Sequence, residues 1–188
     1  MMVWVRPVLV ALLVGALLAG CEGERDGKMD MQNAAERADE MLDSVLVEIE
    51  PSLRWVHGPT TTGSCTVTRR RTVMTVVSAQ RRGSLLGVVD RFWRKSGYRV
   101  TAINSHVDAP AIYVKTPDGF QVSLTVADEG QVHFDVDSPC VRRSEVADST
   151  SQATAPLDPE AEVIPRPNIH SDFWSAQTPE VGVTARGD

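Results

Sequence analysis

The sequence predicts an α+β fold in which an antiparallel sheet of about five strands is covered on one face by two helices. Two segments, within 29–50 and 84–96, repeat apolar residues at steps of three and four, which is the period of an amphipathic helix. Between 98 and 137, apolar and polar residues alternate, which is the period of a strand with one buried face. Such a sheet must bury its apolar face, and the two helices are the available cover.

The first helix is predicted to begin near Met29 and to end before Pro51, because a proline disfavours helical backbone in the residue that precedes it. Its apolar stripe is Met31, Ala34, Ala38, Met41, Leu42, Val45 and Ile49. Residues 52–64 follow as a predicted loop, since they contain Gly58-Pro59 and three consecutive threonines.

A long strand and the second helix come next. Threonine and valine are frequent from Thr66 to Gln80, which favours a strand, and a bulge is expected where Arg69-Arg70-Arg71 interrupts its alternation. Ser84 is the expected N-cap of the helix and Gly97 its expected stop. The apolar face of this helix is Leu85, Leu86, Val89, Phe92 and Trp93.

The remaining strands form a predicted meander. They are expected over Tyr98–Asn104, from Ile112, over Phe120–Val126 and over Val132–Val136, with turns at Pro117-Asp118-Gly119 and Asp128-Glu129-Gly130. The domain is therefore predicted to span 29–143.

Residues 144–188 have no periodic apolar face and are rich in serine, threonine, alanine, proline and acids, so a disordered C-terminal tail is predicted. Ile164, Ile169, Phe173 and Trp174 are the exceptions. They are either scattered apolar residues or a short segment that folds when it binds a partner.

The N-terminus has the features of an export signal. An apolar run from Val8 to Leu18 is too short to cross a bilayer, which takes about 20 residues. Arg6, just before this run, is the only charged residue of the predicted signal segment. Leu18-Ala19-Gly20-Cys21 resembles the lipobox of bacterial lipoproteins, which implies a signal peptide over 1–20 and a diacylglyceryl anchor on Cys21. The alternative is an ordinary signal peptide that happens to end in a cysteine. Residues 22–28 then contain no apolar residue, so 21–28 is predicted to be a flexible tether.

Charge and composition narrow the function classes. The chain has 19 basic and 25 acidic residues, and loss of the segment that carries Arg6 leaves 18 and 25, a net charge of −7. This balance argues against nucleic-acid binding and against attraction to anionic headgroups. Arginine outnumbers lysine 16 to 3, which is typical of a GC-rich genome and favours an actinobacterial envelope.

Two cysteines remain once Cys21 is assigned to the anchor. Outside the cytoplasm, Cys65 and Cys140 are expected to form a structural disulfide. Two buried free thiols or a metal pair are the alternatives, and no C-x-x-C spacing is present to indicate redox chemistry.

No serine elbow, zinc-protease motif, P-loop or dinucleotide fingerprint is found, so no catalytic residue, metal or cofactor is predicted. Two H-x-D steps, His106-Val107-Asp108 and His133-Phe134-Asp135, are the best remaining candidates. On a strand, each step would point both side chains to one face, where they could orient an imidazole or hold part of a metal site. The alternative is the wet face of an ordinary half-buried strand.

Eight basic residues concentrate between Arg69 and Lys95 in an otherwise acidic chain. If the fold gathers them, they form an anion-binding surface. The residues expected in it are Arg81, Arg82, Arg91, Arg94 and Lys95. The alternative is a solvated face of the protein.

The order of the predicted elements resembles that of small actinobacterial lipoproteins of unknown function, such as those of Streptomyces. This order is a lipobox, a tether, a helix, a strand, a helix that ends near Trp93 and Gly97-Tyr98, and a meander that closes at Ser138-Pro139-Cys140-Val141. The resemblance covers about 21–141 and implies an envelope location and a helix-sheet fold. The leading hypothesis is a non-catalytic domain, lipid-anchored on the extracytoplasmic face of the cell membrane, that binds a protein or an envelope polymer. The alternative is a hydrolase or metal-binding protein that uses the H-x-D side chains.

Overall fold

The computed structural model describes residues 29–156 and 165–177, and it confirms the α+β fold. The predicted signal peptide and tether, 1–20 and 21–28, lie outside the described residues. The helices and strands are α1 (Met31–Val47), β1 (Trp55–His57), β2 (Thr61–Thr62), β3 (Val67–Val73), α2 (Ala79–Lys95), β4 (Arg99–Asn104), β5 (Ala111–Lys115), β6 (Gln121–Val126) and β7 (Val132–Asp137). Among them, no helix has the length and apolar character needed to cross a bilayer.

One sheet of seven strands organises the chain, in the order β1-β3-β7-β6-β5-β4 with β2 also beside β3. Every pair is antiparallel. The two strands beyond the predicted five are β1 and β2, which lie in the segment predicted as a loop. Their three and two residues are too few to produce a detectable alternation.

Both helices cover one face of this sheet, so the predicted layers are confirmed. The first helix lies over β3 and β7, whereas the second lies over β4, β5 and β6. Asp30 caps α1, because its carboxylate accepts from the backbone N–H of Asn33 at 3.0 Å. Side chains buried between the layers include Leu42, Val45, Leu85, Val89, Trp93, Leu124 and Phe134.

The predicted boundary between the long strand and α2 was wrong. The strand ends at Val73, and α2 begins at Ala79 after Ser78 rather than after Ser84. The first turn of α2 has no apolar stripe because its buried position is filled by Arg81, whose guanidinium lies 4.2 Å over the ring of Phe173. An arginine that packs in this way is invisible to a search for apolar periodicity.

The predicted bulge at the three arginines was also wrong. The pairing of β3 with β7 continues without a shift from Thr68 to Val73. The irregularity lies instead in β4, between Val100 and Ala102. The three arginines interrupt the alternation of apolar and polar residues but not the strand, because Arg69 and Arg71 occupy positions on the helix-covered face.

The C-terminal region differs from the predicted disordered tail in both of its described parts. In 144–156, the Thr154 hydroxyl accepts from the backbone N–H of Trp55 at 3.0 Å. In 165–177, Trp174 is 1% exposed and its indole N–H donates to the carbonyl of Pro51. These segments are held by one aromatic anchor and by backbone hydrogen bonds, neither of which needs an apolar period. Residues 157–164 and 178–188 lie outside the described residues.

The C-terminal segment follows the chain between β3 and α2. The Ile169 carbonyl accepts from the Val76 N–H at 2.8 Å, and the Ile169 N–H donates to the Met74 carbonyl at 2.9 Å. The Ser78 N–H donates to the Trp174 carbonyl at 2.9 Å. The surface that Phe173 and Trp174 contact is therefore the domain itself.

The predicted disulfide between Cys65 and Cys140 is confirmed. Their Cα atoms are 4.8 Å apart, although 75 positions separate them in the sequence. Cys65 lies just before β3 and Cys140 lies just after β7, so the bond holds these two neighbouring strands together at one end of the sheet.

Candidate functional site

A buried charged cluster lies between α1 and β3. Arg69 and Arg71 are two residues apart on the strand, so both side chains point to the helix-covered face, and they are 2% and 0% exposed. Asp39 of α1 lies between them. One of its oxygens is 2.6 Å from Nη2 of Arg71, and the other is 3.2 Å from Nε of Arg69.

Further contacts engage Arg71. Its guanidinium lies 4.7 Å over the Trp55 ring, and its Nη2 is 3.4 Å from Asp43. Its Nη1 is 3.1 Å from Nδ1 of His57, whose Nε2 is 2.9 Å from the Ser151 carbonyl. Because a guanidinium only donates and a carbonyl only accepts, these contacts assign the Nε2–H tautomer to the neutral imidazole of His57.

Arg69 holds a different part of the chain. Its Nη2 donates to the Ala147 carbonyl at 2.7 Å, and its Nη1 donates to the Thr60 hydroxyl at 2.5 Å. The cluster therefore connects α1 and β3 to the loop between β1 and β2 and to the segment that follows the disulfide. This set of contacts explains why residues 147–151 lie against the domain.

A pocket of ≈ 440 Å³ opens above the cluster, at the gap between β1 and β2. It is lined by His57, Gly58, Pro59, Thr60, Arg69, Arg70, Arg71, Asp148 and Ser149. Arg70 also has a carboxylate partner, since its Nε and Nη2 lie 2.6 and 3.3 Å from the two oxygens of Asp135. An anion entering this pocket would have to compete with carboxylates already in place, so the cluster is better suited to supporting the fold than to binding an anion.

The predicted anion-binding residues do not form one patch. Arg81 and Arg82 lie in the first turn of α2, whereas Arg91, Arg94 and Lys95 lie in its last turns. At 1.5 Å per residue, the nine positions from Arg82 to Arg91 separate the two groups by about 13 Å.

Several of these side chains are also engaged. Arg81 is buried, Arg82 donates to the Asp108 carbonyl at 3.2 Å, and Arg94 is 2.8 Å from Asp90. Anion binding by this helix stays a prediction, which the double charge reversal Arg91→Glu and Arg94→Glu would test.

The H-x-D steps have different surroundings. His133 and Asp135 share one face of β7, as expected, but Asp135 holds Arg70, and Nδ1 of His133 lies 3.3 Å from the Thr72 hydroxyl. Burial lowers the pKa of His133, and the positive charge of Arg70 lowers it further.

His106 and Asp108 are exposed and lie in the loop after β4, not on a strand. Nδ1 of His106 lies 3.9 Å from a carboxylate oxygen of Asp108. Within 29–156 and 165–177, no group of three or more histidine, cysteine or acidic side chains is placed to hold a metal ion.

Strand β4 is an exposed edge of the sheet. It pairs only with β5 in the described part of the chain, so its outer backbone N–H and C=O groups have no strand partner there. Ile103 is 60% exposed on this strand. Four large apolar residues are exposed in the described part of the chain. Besides Ile103, they are Val47, Val107 and Tyr113. Ile103 lies on the edge strand, Val107 lies in the loop that follows it, and Tyr113 lies on the neighbouring β5 on the opposite face. The unpaired edge with the exposed Ile103 side chain makes β4 a candidate protein-binding surface within the described residues.

Sequence reasoning missed both Asp39 and the β4 edge. The signal for Asp39 was an acid within the apolar stripe of α1, four residues before Asp43, since that spacing places both carboxylates on one helix face. No comparable signal marks β4, because an edge strand and a central strand have the same alternation.

Comparison with family models, with curated proteins and with solved structures finds no match for this chain.

Proposed function

We propose that this chain is a lipid-anchored, extracytoplasmic domain that binds another protein through the edge strand β4. The observation that carries the proposal is the outer edge of β4, where backbone groups that have no strand partner among the described residues lie beside the exposed side chain of Ile103. A protein can add a strand to such an edge, gaining backbone hydrogen bonds while it covers the apolar side chain.

The cysteines support the location. The bond between Cys65 and Cys140 belongs to an oxidising compartment, because thiols are kept reduced in the cytosol. Cys21 is then left in the segment that resembles a lipobox. Two acyl chains on Cys21 would anchor the protein stably, since each buried CH₂ contributes about 0.8 kcal/mol.

The engagement of the candidate chemical groups supports binding rather than catalysis. His57 lies between Arg71 and the Ser151 carbonyl, while Asp135 is occupied by Arg70. A general acid or base needs a free position within hydrogen-bond reach of a substrate.

The anchor is tested by Cys21→Ser in cells that process lipoproteins. The wild-type protein should partition into detergent and float with membranes, whereas the variant should stay uncleaved or be released. A variant that partitions as the mature wild-type form does would refute the lipid anchor.

The binding surface is tested separately, by placing a photo-crosslinking amino acid at Ile103 in protein residing in its native envelope. Val47 is the matched control, because it is 79% exposed but lies at the end of α1. We expect a discrete protein adduct from position 103 and none from position 47. Equal labelling from both positions, or none from position 103, would overturn the role of β4.

A further inference from the structure

We propose that the protein bound at β4 is a second copy of this chain, joined by antiparallel pairing of the two β4 strands with Ile103 at the two-fold axis. This inference rests on the proposed use of β4 and adds the identity of the partner. Self-pairing of this kind is isologous, so each contact occurs twice in the dimer.

The exposed side chain of Ile103 sets the centre of the proposed pairing, because only pairing at this residue brings the two isoleucines together. Ile103 pairs with Ile112 of β5, a core residue, so Ile103 belongs to the helix-covered face, whereas Ala102 and Tyr113 belong to the opposite face. Opposite residues of antiparallel strands share a face. Centring the pair on Ile103 meets this condition, because each isoleucine then faces its copy and each Ala102 faces the other strand's Asn104. The exposed isoleucines would thereby cover one another.

The charge distribution favours a second copy of the same strand. Arg99 and Lys115 lie opposite each other at the first end of β4. Asp108, with a side chain that is 83% exposed, lies in the loop beyond its other end. Antiparallel pairing brings Arg99 of each copy toward Asp108 of the other, so one pair of unlike charges forms at each end. Arg82 donates to the Asp108 carbonyl at 3.2 Å, while the Asp108 side chain stays exposed.

The pairing must be short. The shift between Val100 and Ala102 distorts the first half of β4, and bulges at sheet edges oppose pairing. Hydrogen bonds are therefore expected only around Ala102–Asn104. An interface of this size is weak in solution, but anchoring in one membrane raises the effective concentration of the two copies.

Cysteine crosslinking of purified full-length protein tests the geometry. Protein extracted from the envelope is reconstituted in phosphatidylcholine vesicles, separated by flotation and oxidised, and both the floated and the remaining fractions are examined. At the two-fold axis, two Ile103→Cys residues would have Cβ atoms about 5 Å apart. Two Thr101→Cys residues would be four residues out of register, or about 14 Å apart, and too distant to bond.

We expect Ile103→Cys to give a disulfide-linked species of twice the monomer mass, and Thr101→Cys and Val47→Cys to give none. Absence of this species from both fractions of Ile103→Cys, or equal yields from all three variants, would overturn the dimer. If position 103 crosslinks to a different protein in the native envelope while purified Ile103→Cys gives no dimer, the proposed function stands and the second-copy inference fails. Flotation reports the anchor independently of the crosslink.

A charge exchange tests the orientation in the Ile103→Cys background. Arg99→Glu should lower the yield of linked dimer several-fold, because it places acids near each other at both ends. Adding Asp108→Arg should restore the yield, since the exchange recreates unlike charges between copies. If Arg99→Glu lowers the yield of linked dimer and the added Asp108→Arg restores none of it, the antiparallel arrangement is refuted.

Discussion

Arg71 on β3 donates to Asp39 on α1 across 2.6 Å inside the layer between helix and sheet. Both residues are buried, and the same carboxylate also meets Arg69. Burying such a set is costly unless its members are paired, so the pairing requires α1 to occupy one position on the sheet.

Asp39→Asn should therefore lower the free energy of unfolding by about 3–5 kcal/mol, because it leaves two buried guanidinium groups without their shared counter-charge. Glu40→Gln is the control. Glu40 makes an exposed pair with Arg37 at 3.0 Å, and its loss should cost about 1 kcal/mol or less. Urea unfolding followed by circular dichroism measures both, and equal stability of Asp39→Asn and wild type would contradict the role of the cluster.

Trp174→Ala should destabilise the domain by about 3–5 kcal/mol, since it removes a large side chain that lies in the core. The exposed neighbour His170 provides the comparison, and His170→Ala should change stability by less than about 0.5 kcal/mol. The two variants are compared by thermal unfolding. If Trp174→Ala unfolds as the wild type does, the C-terminal segment does not contribute to the fold.

Replacing Cys65 and Cys140 together by alanine should lower stability by about 2–5 kcal/mol, because the bond closes a long loop in the unfolded chain. The variant is compared with the wild type in denaturant without reductant. Peptide mapping of the non-reduced wild type provides the chemical check. Recovery of both cysteines as alkylated free thiols from envelope protein would rule out the bond.

Stability should depend on pH through His133. Its pKa is lowered in the folded protein, so the unfolded chain binds a proton first as the pH falls. Stability from the neutral imidazole is complete above the unfolded pKa of about 6.5 and decreases as the pH falls below it, until the folded pKa is reached. The slope from this single group cannot exceed about 1.4 kcal/mol per pH unit.

His133→Gln should weaken the loss of stability between pH 7 and 5, whereas His106→Gln, at an exposed position, should leave it unchanged. Urea midpoints across this pH range measure the difference between each variant and the wild type. Identical pH profiles for His133→Gln and wild type would show that burial of this imidazole is not linked to stability.

The layers of the domain were predictable from local sequence patterns. Periods of 3.6 and 2 report which side of an element is apolar, so α1, the latter part of α2 and the meander of β4–β7 were predictable. The disulfide also followed, because two cysteines remained once Cys21 was assigned to the anchor.

The places where polar residues enter the core depend on contacts between distant parts of the chain. Arg69, Arg71 and Arg81 are buried because Asp39 and Phe173 reach them from distant parts of the chain, and a local pattern contains no record of such partners. The positions of Trp174 and of the edge strand β4 were undetermined for the same reason. Alternation indicates that a strand has two faces, but which edge stays unpaired depends on how all seven strands assemble.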